Sequence, residues 1–192
     1  MDITGRKLFV KALMEEGVDT IFAYPGGMVT DIVDELYRQD AIEVVLPRHE
    51  QALVHEAEGY ARATGKPGIC LVTSGPGATN TITAIADAHY DSIPLIVFTG
   101  QVPLDLIGND AFQEVDIVGM TRSITKYGVT VRDRRIWEGS SRWHLPSPPP
   151  ANRGGYDRYP EEYPDPSWEA PSILPCADTA ATSQMRRYIS GS

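Results

Sequence analysis

Residues 1–133 of this 192-residue chain predict an α/β domain, a parallel sheet flanked by helices. Three observations predict it. Short β-prone apolar runs alternate with stretches of helical period. Two of these runs, 68–73 and 94–99, are apolar almost throughout, as strands buried on both faces are. Glycine-bearing turns follow the strands and open the next helices.

The elements are read in order. Residues 2–16 are helical: Leu8, Phe9, Ala12 and Leu13 repeat at three- and four-residue spacing, and Gly17 stops the run. A strand follows over 20–24 and ends at the Pro25-Gly26-Gly27 turn. Ile32, Val33 and Leu36 continue as a helix, and 42–46 is a second strand. Residues 49–64, rich in Ala, Glu and His, form a helix closed by Gly65. The third strand, 68–73, turns at 75–77 into a helix over 79–89, and 94–99 is the fourth strand. In such a sheet a ligand sits outside the carboxyl ends of the strands. Four segments lie there: Tyr24-Pro25-Gly26-Gly27, Arg48-His49-Glu50, Thr73-Ser74-Gly75-Pro76-Gly77 and Thr99-Gly100-Gln101. A site on that edge is expected.

Composition divides the chain. The formal net charge is −9, and residues 1–133 carry all of it, with 10 basic and 19 acidic residues. Residues 134–192 hold seven of each, all three Trp, 9 of the 15 Pro, and neither Val nor Phe. That poverty in aliphatics predicts an irregular or disordered Pro-rich tail after the domain at 1–133. The acidic balance argues against nucleic acid as a partner. There is no apolar run of membrane length and no apolar signal core at the N-terminus, so no membrane association is expected and a cytoplasmic location is the default. The two cysteines, Cys70 and Cys176, are too few for a disulfide scaffold or a zinc site.

Individual residues keep two readings each. The Gly75–Asn80 segment opens a helix where backbone N–H groups favour an anion, but it lacks the third glycine of the dinucleotide fingerprint. A tight turn with close helix packing is the ordinary explanation. Glu50 opens a helix just after a strand, where the dipole stabilises a carboxylate by about 0.3–1 kcal/mol. A capping aid is its ordinary role. His49 and His55 read as partly exposed helix residues, with no metal-spaced constellation around them. Cys70 reads as an inert filler in a buried strand. No Gly-x-Ser-x-Gly elbow supports serine hydrolase chemistry.

Longer stretches carry a resemblance. FAYPGGMVTDIVDEL (22–36), LPRHEQALVHEAEGYARATGKPGICLVTSGPGATN (46–80), DAHYDSIPLIVFTGQVP (87–103) and GNDAFQEVDIVGMTRSITK (108–126) follow one another in order. Residues 1 to about 132 resemble the N-terminal, pyrimidine-binding domain of thiamine-diphosphate-dependent enzymes, most closely the catalytic subunits of acetolactate synthases. The resemblance implies that Glu50 hydrogen-bonds N1′ of the aminopyrimidine. A carboxyl in a dry pocket gains proton affinity by desolvation. Glu50 would thus favour the imino tautomer that deprotonates the thiazolium C2 before attack on pyruvate. Tyr24, Pro25, Gly26 and Gly27 match the loop beside the pyrimidine, as do Gly75, Pro76 and Asn80. Phe112 and Gln113 match a substrate-side pair, with Gln113 a hydrogen-bond donor.

Pyruvate decarboxylases carry two adjacent histidines where this chain has Ala111-Phe112-Gln113. The resemblance therefore implies carboligation with a second 2-oxo acid, giving 2-acetolactate or 2-aceto-2-hydroxybutyrate for branched-chain amino acid biosynthesis. Pyruvate oxidase and glyoxylate carboligase share the scaffold and remain alternatives. So does a non-catalytic module that pairs with full-length subunits. The family also implies Mg²⁺, FAD, a homodimer of catalytic large subunits and a regulatory small subunit.

After residue 133 the resemblance stops. For 156–165, degenerate codons shifted forward by one nucleotide can read M-I-D-I-P-K-N-I-Q-T, which is similar to a strand the family carries. We expect residues from about 134 onward to be translated out of frame, with a natural divergent tail as the alternative. Sequencing the coding DNA separates the two. On this reading the chain is truncated. It lacks the family's flavin-contacting Gly-Arg-Pro-Gly turn and the Gly-Asp-Gly…Asn segment that holds Mg²⁺. The isolated chain is then expected to bind thiamine diphosphate weakly and to have negligible synthase activity.

Overall fold

A computed structural model describes residues 4–132 and 172–176. Four strands form a parallel sheet in the order β2-β1-β3-β4: β1 (Thr20–Ala23), β2 (Glu43–Val45), β3 (Gly68–Val72) and β4 (Leu95–Thr99). Helix α1 (Gly5–Glu15) precedes the first strand, and α2 (Thr30–Leu36), α3 (Glu50–Thr64), α4 (Pro76–Thr79), α5 (Ile82–Tyr90) and α6 (Ile117–Thr121) connect or follow the strands. The predicted parallel α/β architecture is borne out.

The continuous apolar runs have a simple cause. Successive strand residues point to opposite faces, and both faces are covered. Ile21, Ala23, Ile69, Leu71 and Phe98 pack with Phe9, Val10 and Leu13 of α1 and Leu36 of α2. Phe22, Cys70, Val72, Leu95 and Val97 pack with Leu53, Val54 and Ala57 of α3 and Ala84, Ile85 and Ala88 of α5. Cys70 is fully buried there, as expected of a filler. Full burial of one such side chain as Leu53 stabilises the fold by about 1.5–3 kcal/mol. Phe9 meets Phe98 edge-on with ring centroids 4.8 Å apart.

Two differences from the sequence reading have physical reasons. The helix expected over 79–89 is two pieces, α4 and α5, separated at Asn80 and Thr81. Thr79 and Thr81 donate their hydroxyls back to the carbonyls of Pro76 and Ala78, at 3.2 and 2.6 Å. Such back-bonding bends helices. The second difference lies in the segment read as an irregular tail. Strand β6 (Ser172–Cys176) runs antiparallel to β4 and to the short β5 (Val129–Thr130), extending the sheet. The edge of β4 would otherwise present unpaired N–H and C=O groups, and Ile173-Leu174 is the one aliphatic pair in the tail. Pro175, opposite Ile96, lies beyond the reach of β5, where a strand proline is tolerated. The rest of the tail, including the out-of-frame segment, lies outside the described residues. Among the described residues no helix is long and apolar enough to cross a membrane.

At the amino ends of the strands a cleft of about 290 Å³ is lined by Leu13, Val18, Asp19, Tyr60, Lys66 and Phe98, among others. It faces away from the predicted site. Its floor carries an ion pair between Asp19 and Lys66, and Tyr60 donates its O–H to Asp19 at 2.6 Å. These donors, Lys66 first, hold the Asp19 carboxyl down from 3.8 to about 2. A carboxylate depressed in the folded state stabilises above its unfolded pKa and loses that contribution as pH falls toward the folded one. Asp19→Asn will therefore remove a small stability component at neutral pH but not at pH 2. Urea unfolding between pH 4 and 2 checks this. The pair is half exposed, so the effect is small.

Candidate functional site

The sheet order reverses between β1 and β3. Chain leaving β1 goes to β2 on one side, and β3 takes the other. Open α/β sheets bind ligands in the crevice at such a point, beyond the carboxyl ends. The loops after β1 and β3 meet there. A Cβ on Gly26 would stand 2.4 Å from the Cβ of Thr73, and one on Gly77 would stand 2.6 Å from its Cγ2. The Met28 N–H donates weakly to the Thr73 hydroxyl at 3.4 Å. Thr73 is thus the hub that the two glycine turns close upon. Tyr24 continues β1 by donating its N–H to the Leu71 carbonyl at 2.9 Å, and its ring packs on the core.

Glu50 reaches this crevice from the N-terminus of α3. The helix is capped by His49, whose Nδ1 accepts the Gln51 N–H at 3.0 Å. The capping role open to Glu50 is therefore taken by its neighbour. Gly65, with φ +72, closes the other end in the left-handed conformation that the predicted stop requires. Asn80 donates its Nδ2 to Glu50 Oε2 at 3.0 Å. The other oxygen, Oε1, lies 3.4 Å from where a Gly77 Cβ would stand. The carboxyl is half-buried and Asn80 is exposed. One oxygen is fixed and the other is presented along the glycine turn.

The substrate-side candidates lie on the loop after β4. Gln113 has φ +60, and its backbone sits where a Gly75 Cβ would be, 2.6 Å from that position at the carbonyl oxygen. Gly75, φ +58, is the second place where only glycine fits. Pro76 is the first residue of α4, where its missing N–H costs nothing. Phe112 is 88% exposed, so the structure brings Gln113 to the glycine turn but packs its neighbour against nothing described.

Sequence reasoning placed Gln101, Ser74 and Thr99 at this edge but missed how the edge is braced, and missed Glu114 altogether. Gln101 is buried, donates Nε2 to the Val115 carbonyl at 3.1 Å and accepts the Val102 N–H at 2.9 Å. Glu114 accepts the N–H groups of Gly108 and Ala111, the latter at 3.0 Å. Those donors, Gly108 first, hold its carboxyl below the ordinary range. Glu114→Ala will lower hydrogen-exchange protection at the Gly108 and Ala111 amides while β3 amides keep theirs. Equal protection in the variant would show that the carboxylate does not order the loop. Ser74 and Thr99, hydroxyls at the ends of β3 and β4, are buried with no hydrogen-bond partner for Oγ and Oγ1. The one available signal was polar residues ending two apolar strands.

The sequence reading found no metal-spaced set at His49 or His55. Among the described residues, the structure brings Asp87 of α5 to His55 and Glu58 of α3, away from the crevice residues named above.

Comparison with known proteins bears out the resemblance. Residues 3–120 match the family described as thiamine pyrophosphate enzyme, N-terminal TPP binding domain. The chain is 55% identical over 130 residues to the mitochondrial acetolactate synthase catalytic subunit of Saccharomyces cerevisiae, covering 68% of this chain and 19% of that protein. It is 57% identical over 129 residues to the chloroplastic acetolactate synthase of Arabidopsis thaliana, covering 67% and 19%. With the acetolactate synthase isozyme 3 large subunit of Escherichia coli it shares 55% over 130 residues, covering 68% and 23%. The chain thus spans about a fifth of the length of the curated relatives it matches. By the span of that match and the crevice it encloses, the chain belongs to the thiamine pyrophosphate enzymes, and residues 3–120 are their N-terminal TPP-binding domain.

Proposed function

We propose that this domain supplies the aminopyrimidine-facing wall of an acetolactate synthase, acting on pyruvate and a second 2-oxo acid. The observation that carries the reading is the Glu50–Asn80 pair set over the Gly26–Thr73–Gly77 turn. This arrangement fits the cofactor's pyrimidine. The Gly26 and Gly77 turns close on Thr73 and bring backbone to the crevice, and the donor set offers one acceptor oxygen, Glu50 Oε1, with its partner oxygen fixed by Asn80. Thiamine diphosphate, when bound, supplies the electron sink for cleaving and joining carbon next to a carbonyl.

The residues of this chain have separable tasks. Asn80 orients the carboxyl. Glu50 Oε1 would hold a proton at the pyrimidine nitrogen. Gln113, anchored against Gly75, donates toward the substrate side. Desolvation would strengthen the Glu50 hydrogen bond, and a second protein surface over the exposed Asn80 would supply it. That surface is the C-terminal domain of a partner subunit in a homodimer of catalytic subunits, with a regulatory small subunit as a further partner. Mg²⁺ and FAD belong to the same reading through other domains. Among the described residues, no three metal-ligating side chains converge at Glu50, so this edge does not fit a Mg²⁺ site.

The test is a chimera that replaces the matching segment of the Saccharomyces cerevisiae catalytic subunit with residues 1–132. Given pyruvate and thiamine diphosphate, it should yield 2-acetolactate. Acetaldehyde or acetyl phosphate as the main product would assign the domain to a decarboxylase or an oxidase instead.

A further inference from the structure

On the side of the sheet carrying α3 and α5, His55, Glu58 and Asp87 place one ligand atom each within 4.8 Å of one another. His55 Nδ1 lies 3.1 Å from Glu58 Oε2 and 3.8 Å from Asp87 Oδ2. Donors bound about 2.1 Å from one ion stand about 3.0–3.4 Å apart in octahedral or tetrahedral geometry; the His55–Glu58 spacing already matches this, and the exposed Asp87 side chain must swing inward to close the set. The second observation is independent of the spacing. The Glu58 side chain is 5% exposed; its Oε2 faces His55, and the second oxygen of the same carboxyl, Oε1, has no hydrogen-bond partner. An acceptor oxygen buried in this way calls for a cation or a donor. The other two side chains are open, with exposures of 39% for His55 and 55% for Asp87, which gives an ion a path in. The neighbouring cation Arg62, one turn further along α3, is engaged by Asp91.

We propose that His55, Glu58 and Asp87 form a binding site for a divalent first-row transition-metal cation such as Zn²⁺. A neutral imidazole and two carboxylates balance the ion's charge and suit its borderline character. The i,i+3 pair on α3 is held rigidly by the helix, and Asp87 on α5 closes the third position. Water completes the coordination on the exposed side. The site is separate from the glycine-turn crevice and independent of the function proposed for it. Bound metal would tie α3 to α5 across their packed faces.

Calorimetric titration of the 192-residue chain with ZnCl₂, after stripping with chelator, tests the site. One equivalent should bind. Affinity should fall about tenfold or more in His55→Ala, Glu58→Gln and Asp87→Asn, as loss of a ligand demands. A double variant, His144→Ala with Cys176→Ser, should keep it. Asp87 is on the surface, so its variant folds and keeps the test decisive; circular dichroism checks this. Absence of saturable uptake up to about 1 mM Zn²⁺ would overturn the proposal, as would uptake that survives the three ligand variants or disappears in the double variant.

Discussion

Glu50→Gln, placed in the chimeric catalytic subunit, will lower turnover by about 10²–10⁴-fold, the usual contribution of a positioned general acid–base group. Glutamine keeps the length of the side chain and can still meet Asn80. It cannot hold or release a proton at the oxygen presented along the Gly77 turn. The helix is capped by His49, so α3 keeps its N-terminal anchor without the carboxylate. Stability should therefore change by no more than about 0.5–1 kcal/mol. The readout is kcat at saturating thiamine diphosphate, with a melting curve on the same preparation. Near-normal turnover would remove Glu50 from the chemistry. Lost turnover with lost folding would show that the carboxyl is structural.

Gly75→Ala will destabilise the domain and displace the substrate-side loop together. Its φ of +58 with ψ −119 is a conformation that L side chains rarely adopt, costing about 1–3 kcal/mol. The added methyl would also stand 2.6 Å from the Gln113 carbonyl oxygen and 2.8 Å from its Cα. Both are backbone atoms, so relief requires the loop to move. A melting temperature lowered by roughly 5–15 °C is expected for the 192-residue chain. In the chimera, kcat/KM for pyruvate should fall with it. Gly27→Ala is the contrast, because its Cβ would meet nothing within 4 Å. That variant should melt within a few degrees of the parent. Equal melting of Gly75→Ala and Gly27→Ala would show that the Gly75–Gln113 contact is not tight in solution.

Legibility in the sequence followed burial and glycine. Strands β3 and β4 were plain because both faces are covered, and every residue from Gly68 to Val72 is buried. The site edge was plain because Gly26, Gly75 and Gly77 stand where two loops and a strand end crowd together. Glu50 was visible as an N-terminal helix acid, but whether it caps or works depended on where His49 points. What stayed hidden were contacts between distant segments. Thr73 looked like the end of a strand, although two turns close on it. Asp87 gave no sign that it would reach the His55–Glu58 pair on another helix. The break between α4 and α5 came from hydroxyls competing for backbone carbonyls, which hydrophobic period does not register. Strand β6 was hidden for a different reason: its neighbours in sequence are poor in aliphatics, and pairing is decided by the open edge of β4.

The central claim is that the carboxyl edge of the sheet, around Glu50, receives the pyrimidine end of thiamine diphosphate. Titration of the isotope-labelled chain with thiamine diphosphate, followed by amide chemical shifts, tests it directly. Binding should be weak, with shifts concentrated at Tyr24, Gly26, Gly27, Glu50 and Gly75 through Asn80, and diminished in Glu50→Gln. Shifts gathered instead around Asp19, Tyr60 and Lys66 at the opposite edge, or none at millimolar cofactor, would contradict it.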